Sequence, residues 1–318
     1  MPTQYFAGNS LASFFRTSPI SVEATTAGRF NSTYVSSAIT IPDNLADYVQ
    51  TAAFSATGTV WTAFDFYTGS IASVTSNGPT WYNGTTGIFR LKFNSSGFTP
   101  EYWNGSAWTA TGSAAAIAAA VLYRITVKIT LNSGFELYIN GTLVSSGSGW
   151  SGSSTTMTNV RFYNNTQAQL SFISQVMIAD YDIRDSHLYS VAINGNSASN
   201  TGAASGVYTD VNETVLDETT AINISASGNK AGQTHATFTL PTGYTIAAAV
   251  ISARGRATGS ITDGKLGWRY SGTNYSSSGK SYNGSYEPRQ LISTTNPGTS
   301  AAWTQTSFNN AELYLEAA

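Results

Sequence analysis

The sequence has no cysteine, which excludes disulfide staples and thiolate metal sites. It has only two histidines, His187 and His235, too few for a histidine-rich metal centre. Charge is scarce: Asp, Glu, Lys and Arg make up 10% of the 318 residues, against about 25% in an ordinary soluble protein. The 15 basic and 17 acidic residues leave a net charge of -2, and no basic cluster stands out. Phosphate neutralisation needs such a cluster, so nucleic acid is not an expected partner. No apolar run approaches the roughly 20 residues of a membrane-spanning helix, so no membrane partner is expected either. The first 15 residues hold no basic residue, and Arg16 follows their apolar stretch. That is the reverse of a secretory signal. The expectation is synthesis in the cytoplasm, with any exterior location reached by assembly or lysis.

What replaces charge is Gly, Ser, Thr, Asn and Ala. Disordered chains share low charge and modest hydrophobicity, but they are poor in aromatics. Here aromatics reach 13%, with 7 Trp, 18 Tyr and 15 Phe, enough for packed cores. The surface is then wetted by hydroxyls and amides, which gives little like-charge repulsion between copies packed side by side.

Strand signals run the length of the chain. Residues 123–131 set Ile125, Val127, Ile129 and Leu131 on one face against Arg124, Thr126, Lys128 and Thr130 on the other. Phe135, Leu137 and Ile139 alternate with Glu136 and Tyr138, and Asn140-Gly141 follows. Asn-Gly suits a two-residue hairpin turn because both residues tolerate positive φ. The same pair recurs at 77–78, 83–84, 104–105, 194–195 and 283–284. Residues 114–122 are Ala-rich but lack a polar face and are short for a helix, so they read as a loop. The pattern predicts an all-β chain. Residues 1–20 form an N-terminal arm, 21–190 a first sandwich, 191–206 a Gly/Ser/Asn-rich linker, and 207–318 a smaller C-terminal β-sandwich. Phe172, Val176 and Ile178 join the first core; Phe238, Leu240, Val250 and Leu313 are expected inside the second.

The run Phe135-Glu136-Leu137-Tyr138-Ile139-Asn140-Gly141-Thr142-Leu143-Val144 resembles the "LYvNG" hairpin of concanavalin-like jelly rolls of the laminin-G and lectin/glucanase group. The resemblance covers roughly residues 30–185. A second likeness lies further on. Ala179-Asp180-Tyr181-Asp182-Ile183-Arg184-Asp185 leads to Gly206-Val207-Tyr208-Thr209-Asp210-Val211-Asn212-Glu213 and Leu216-Asp217-Glu218-Thr219. This resembles bacteriophage virion structural proteins in which a lectin-like domain precedes a smaller C-terminal β-domain. Those proteins often carry Trp where Tyr208 stands. The resemblance implies a virion exterior location and other virion proteins as partners, the major capsid protein first; a single domain would hold such a lattice weakly, so a homotrimer is expected for the avidity it adds. It fixes neither head nor tail.

Two groups of residues are candidates for chemistry. Asp180, Asp182 and Asp185 match the spacing of the glucanase Glu-x-Asp-x-x-Glu pattern. Both outer positions are shortened to Asp, which would open the carboxyl gap of about 5–5.5 Å that retaining hydrolysis needs. Their oxygens are candidates for Ca2+, the one cofactor considered; the plainer alternative is a solvated strand end. Trp81, Tyr82, Trp103, Asn104 and Trp108 are turn-borne aromatics beside an amide. Such groups can stack on a sugar and bond its hydroxyls, or else pack within or between chains. The acidic group Asp210, Glu213, Asp217 and Glu218 reads as a polar joining segment. The expectation is a non-enzymatic virion protein, a capsid decoration or head-spike protein, with a tail-associated protein binding host-surface glycans as the alternative.

Overall fold

The computed structural model describes residues 2–8, 13–16, 23–24, 30, 38–41, 47–71, 77–163, 171–198, 200–211 and 220–318. The chain divides into two compact units, Met1–Tyr189 and Ser190–Ala318. Every strand pairing described is antiparallel, and the described residues are all-β apart from brief 3-10 turns and one short helix.

The first unit is a jelly-roll sandwich. Its eight-stranded sheet runs β14 (Thr142–Ser148), β13 (Gly134–Ile139), β12 (Leu122–Thr130), β7 (Thr59–Thr68), β17 (Ser171–Ala179), β4 (Ala38–Ile41) and β3 (Glu23–Ala24). An eighth strand, β1 (Gln4–Gly8), pairs with the distal half of β17. The seven-stranded sheet runs β11 (Trp108–Ala110), β10 (Gly97–Trp103), β9 (Thr86–Asn94), β8 (Thr80–Asn83), β16 (Asn159–Tyr163), β5 (Tyr48–Thr51) and β2 (Phe14–Arg16). A small ribbon joins β6 (Ala56–Thr57) to β15 (Thr156–Met157).

Alternation decides what lies between the sheets. Ile125, Val127, Ile129, Leu137, Ile139, Phe172, Val176 and Ile178 are all buried. Rings from the two sheets meet: Phe64 with Phe162 at 5.2 Å, Phe66 with Phe98 at 5.5 Å, and Phe89 with Phe135 at 4.9 Å between centroids. Each fully buried ring contributes about 1.5–3 kcal/mol relative to exposure. At Asn140-Gly141 both residues have positive φ, 51° and 79°, and Ile139 pairs with Thr142 across them. That is the two-residue turn the dipeptide signals. Residues 114–122 are non-helical up to the start of β12.

The N-terminal segment is part of the sandwich, in place of the arm expected over residues 1–20. Strand β1 pairs with β17, β2 pairs with β5, and Phe6 and Phe14 are fully buried with their rings 5.0 Å apart. Two aromatics at core depth gain more from burial than a free arm could.

The second unit is smaller. Its main sheet runs β18 (Ile193–Asn196), β21 (Lys230–His235), β27 (Ala311–Ala317), β23 (Asp263–Tyr270) and β24 (Thr273–Ser276), with β25 (Lys280–Ser281) also on β23. A ribbon of β22 (Ala249–Gly255) and β26 (Glu287–Ser293) covers one face; β19 (Ala203–Ser205) pairs with β20 (Asn223–Ile224). The stretch 191–206, expected as a linker, therefore contributes two strands. Its polar side chains suit sheet edges, and backbone pairing needs no apolar residue. The core also differs from expectation. Ala249, Ile251, Leu266, Trp268, Trp303 and Ala311 are buried, whereas Phe238, Leu240, Val250 and Leu313 are only partly so. Val250 sits between two inward neighbours on the ribbon and faces the other way. Helix α1 (Gln305–Asn309) starts at Thr304, whose Oγ1 accepts a hydrogen bond from Ser307 N at 3.0 Å.

Candidate functional site

The outward face of the seven-stranded sheet gathers polar and aromatic side chains from distant parts of the chain. On β16, Val160 and Phe162 point into the core, which turns Arg161 and Tyr163 outward. On β5, Val49 is buried between outward Tyr48 and Gln50. On β8, Trp81 is inward and Tyr82 outward. The order β5, β16, β8 then places Arg161 between two rings: its guanidinium carbon lies 4.5 Å from the Tyr48 centroid and 4.4 Å from that of Tyr82. Arg161 Nε donates to Gln50 Oε1 at 2.7 Å. The Tyr82 and Tyr163 hydroxyls are 3.0 Å apart. Burial and the Tyr163 hydroxyl raise the pKa of Tyr82 despite the opposing charge of Arg161, so Tyr82 stays a neutral phenol.

A second aromatic group lies on the same face at the β9–β11 edge. Trp103 pairs directly with Trp108, edge to face at 5.7 Å. Arg90 lies 4.4 Å from the Trp108 ring and is fixed by Glu101, with Nε to Oε2 at 2.7 Å. Lys92 joins the same carboxylate at 3.2 Å. Gly87 explains how Trp108 reaches inward over the sheet: a β-carbon there would collide with Cζ2 and Cη2 of the indole. Gly87 is also the residue directly opposite Tyr82. The two aromatic groups therefore share one row across the sheet, linked through a position with no side chain.

The sequence candidates separate. Tyr82, Trp103 and Trp108 lie on this face. Trp81 does not: it is 0% exposed, and its Nε1 donates to Thr62 Oγ1 of the facing sheet at 2.8 Å. An inward indole whose N–H finds a hydroxyl is a core residue. Asn104 forms the turn. Its Oδ1 accepts from Ser106 N at 3.0 Å and Ala107 N at 2.9 Å, and its Nδ2 donates to Thr109 Oγ1 at 3.0 Å. Its amide is spent holding the loop between the two tryptophans. Arg161, Tyr48 and Tyr163 were missed; the signals were the alternation of 159–163 and 48–51.

The three aspartates do not form a constellation. Strand β17 ends at Ala179, so the alternation that would align Asp180 and Asp182 has already stopped. Asp180 Oδ1 accepts from Thr3 N at 2.7 Å. Asp182 is bound to Arg184, with Nη2 to Oδ2 at 2.6 Å. Burial pushes the Asp182 carboxyl up, but hydrogen bonds from the Arg184 side chain and backbone outweigh it and hold the group below its ordinary value. Arg184 lies over the Tyr138 ring at 4.7 Å. Asp185 is exposed. Among the described residues, no three His, Cys, Asp or Glu side chains are grouped to hold a metal. Of the other acidic group, Asp210 Oδ2 accepts from Val207 N at 2.7 Å, while Glu213, Asp217 and Glu218 lie outside the described residues.

One polar group inside the first unit had no sequence signal beyond its strand positions. Arg124 Nη1 contacts Asp65 Oδ1 at 3.0 Å, and Gln175 Nε2 donates to Asp65 Oδ2 at 2.7 Å. Gln175 has φ 47° at a bulge in β17, which turns its amide toward the pair. Its Oε1 accepts from Leu188 N at 3.3 Å and lies 3.4 Å from His187 Nδ1; Arg124 Nη2 donates to Ser186 O at 3.0 Å. The network clamps residues 186–188 onto the outer face of the eight-stranded sheet. Burial outweighs Arg124 and raises the Asp65 pKa.

No family model matches the sequence, and no curated protein matches it. Solved structures with similar folds include the globular domain of T. cruzi calreticulin, at 12% identity and TM-score 0.45, over 57% of this chain and 91% of that one. The cellulose-induced protein Cip1 matches at 13% identity and TM-score 0.42, over 55% of this chain and 94% of that one. The binding domain of botulinum neurotoxin DC, solved in complex with SialylT, matches at 10% identity and TM-score 0.38. The alignment covers 76% of this chain and 64% of that domain, less than two thirds of its length.

Proposed function

We propose that this chain is a non-enzymatic recognition protein that holds an oligosaccharide on the outward face of its seven-stranded sheet. One observation carries the reading: the row formed by Tyr48, Arg161, Tyr82, the side-chain-free Gly87, Trp108 and Trp103. Aromatic faces stack on the C–H groups of a sugar, and flanking hydroxyls and amides bond its hydroxyls. From β16 to β11 the row crosses four inter-strand gaps of about 4.8 Å, room for several sugar rings. The aspartates supply no hydrolytic pair, because Asp182 is committed to Arg184 and Asp180 to the backbone of Thr3.

The proposal places the protein on a phage virion exterior, on the strength of the sequence likeness at 179–185 and 206–219. There it would decorate the head as a homotrimer beside the major capsid protein, with tail attachment as the alternative. A glycan array tests the first part: signal that falls at least tenfold with Tyr82→Ala or Trp108→Ala supports it, and a blank array overturns it. Incubation with β-glucans and bacterial polysaccharides is expected to release no reducing ends. Immunogold labelling of intact particles tests placement; label absent from the particle surface overturns it.

A further inference from the structure

Arg161 differs from the other described cations of the first unit. Six of its Lys and Arg side chains are described: Arg90, Lys92, Arg124, Lys128, Arg161 and Arg184. Five of them pair with a carboxylate, namely Glu101 (twice), Asp65, Glu136 and Asp182. Arg161 has no acidic partner among the described residues, yet it is held in place on the outward face. Gln50 holds its Nε, and the rings of Tyr48 and Tyr82 lie within 4.5 Å of its guanidinium carbon. Arg161 is only partly buried, so its guanidinium is not sealed from the surface. A guanidinium fixed through Nε and covered by rings offers its remaining N–H groups edge-on. That is the geometry in which arginine accepts a planar carboxylate by two parallel hydrogen bonds. On the same face Glu101 balances Arg90 and Lys92, so among the described cations of that face Arg161 is the one whose charge is left for a ligand to meet.

We propose that Arg161 is the specificity residue for a carboxylate on the bound sugar, so that the face selects acidic glycans, uronates or sialic acids, over their neutral counterparts. This rests on the reading of the outward face as a glycan site. The phenols of Tyr48, Tyr82 and Tyr163 line the same position. They place ring faces and hydroxyls around the incoming carboxylate.

The test compares matched ligands by titration calorimetry: an oligogalacturonate against its methyl ester, and sialyllactose against lactose. The proteins are the full chain, Arg161→Gln and Arg161→Lys, each checked for unchanged thermal unfolding. The full chain is expected to bind at least one acid at least tenfold more tightly than its neutral partner. Arg161→Gln is expected to erase that preference, and Arg161→Lys to restore only part of it, since the charge returns without the fork. Equal affinity for acid and neutral forms overturns the carboxylate assignment while leaving the glycan reading standing. So does a preference that survives in Arg161→Gln, or binding confined to sulfated sugars. Absence of binding to these ligands and to a broad array overturns both. If Arg161→Gln is unstable, Gln50→Ala, which frees the guanidinium without removing it, is expected to weaken the acid preference several-fold; an unchanged preference overturns the proposal.

Discussion

Trp108 lies across Gly87, so close that the glycine's missing β-carbon is the space the indole occupies. The φ of Gly87 is outside the left-handed region, so its backbone accepts alanine and only the indole objects. Gly87→Ala is therefore expected to displace Trp108 and its Arg90 neighbour while costing the fold little, within about 1–3 kcal/mol. Tryptophan fluorescence should shift, and glycan affinity should fall about tenfold. A variant with unchanged emission and affinity would show that the row is not continuous at this point.

Asp65 and Arg124 are a buried pair, and removing one partner leaves the other without compensation. Asp65→Asn is expected to destabilise the first unit by about 3–5 kcal/mol, measured as a lowered urea midpoint. The double variant Asp65→Asn, Arg124→Met is expected to recover part of that loss, because an uncharged pair needs no compensation.

His187 gives the clamp a pH dependence. Burial, with the nearby charge of Arg124, lowers its pKa in the folded chain. The unfolded imidazole takes up a proton near pH 6.5, whereas the folded one resists until lower pH. Stability from this residue is thus present above about pH 6.5 and is lost as pH falls through the lowered folded value. Urea midpoints at pH 7.5 and pH 5.5 should differ in the native chain, and the difference should shrink in His187→Gln.

Deleting residues 2–16 is expected to abolish folding of the first unit. The deletion removes two strands together with Phe6 and Phe14, both fully buried. Loss of even one such ring costs about 3–5 kcal/mol. Circular dichroism that retained a cooperative transition would show that these strands are dispensable.

How much was legible follows from how local each signal was. The β12–β13–β14 region reads directly, because alternation and an Asn-Gly turn lie within 27 consecutive residues, Leu122 to Ser148. The second core was misread at Val250 because Ala249, Val250 and Ile251 are all small or apolar, so either register fits the pattern. At the candidate site, Trp108 and Tyr82 announced themselves by type. Trp81 has the same credentials, and only its partner Thr62, on another strand, shows that it is inward. Arg161 was invisible as a site residue because Tyr48, Tyr82 and Gln50 reach it through the β5–β16–β8 order, which no local window contains.

Strand β1 finds its partner β17 only at the far end of the first unit; Gln4 Nε2 donates to Ile178 O across 174 residues. On a ribosome adding about 5–20 residues per second, that partner emerges roughly 10 to 35 seconds after β1 itself. For that interval the nascent chain carries Phe6 without its pairing strand, while the hairpins around Asn140 can close as soon as they appear. Vectorial synthesis thus makes β1, made well before β17, one of the last strands of the unit to be secured, and yield at elevated growth temperature becomes a matter of what shields that strand in the meantime.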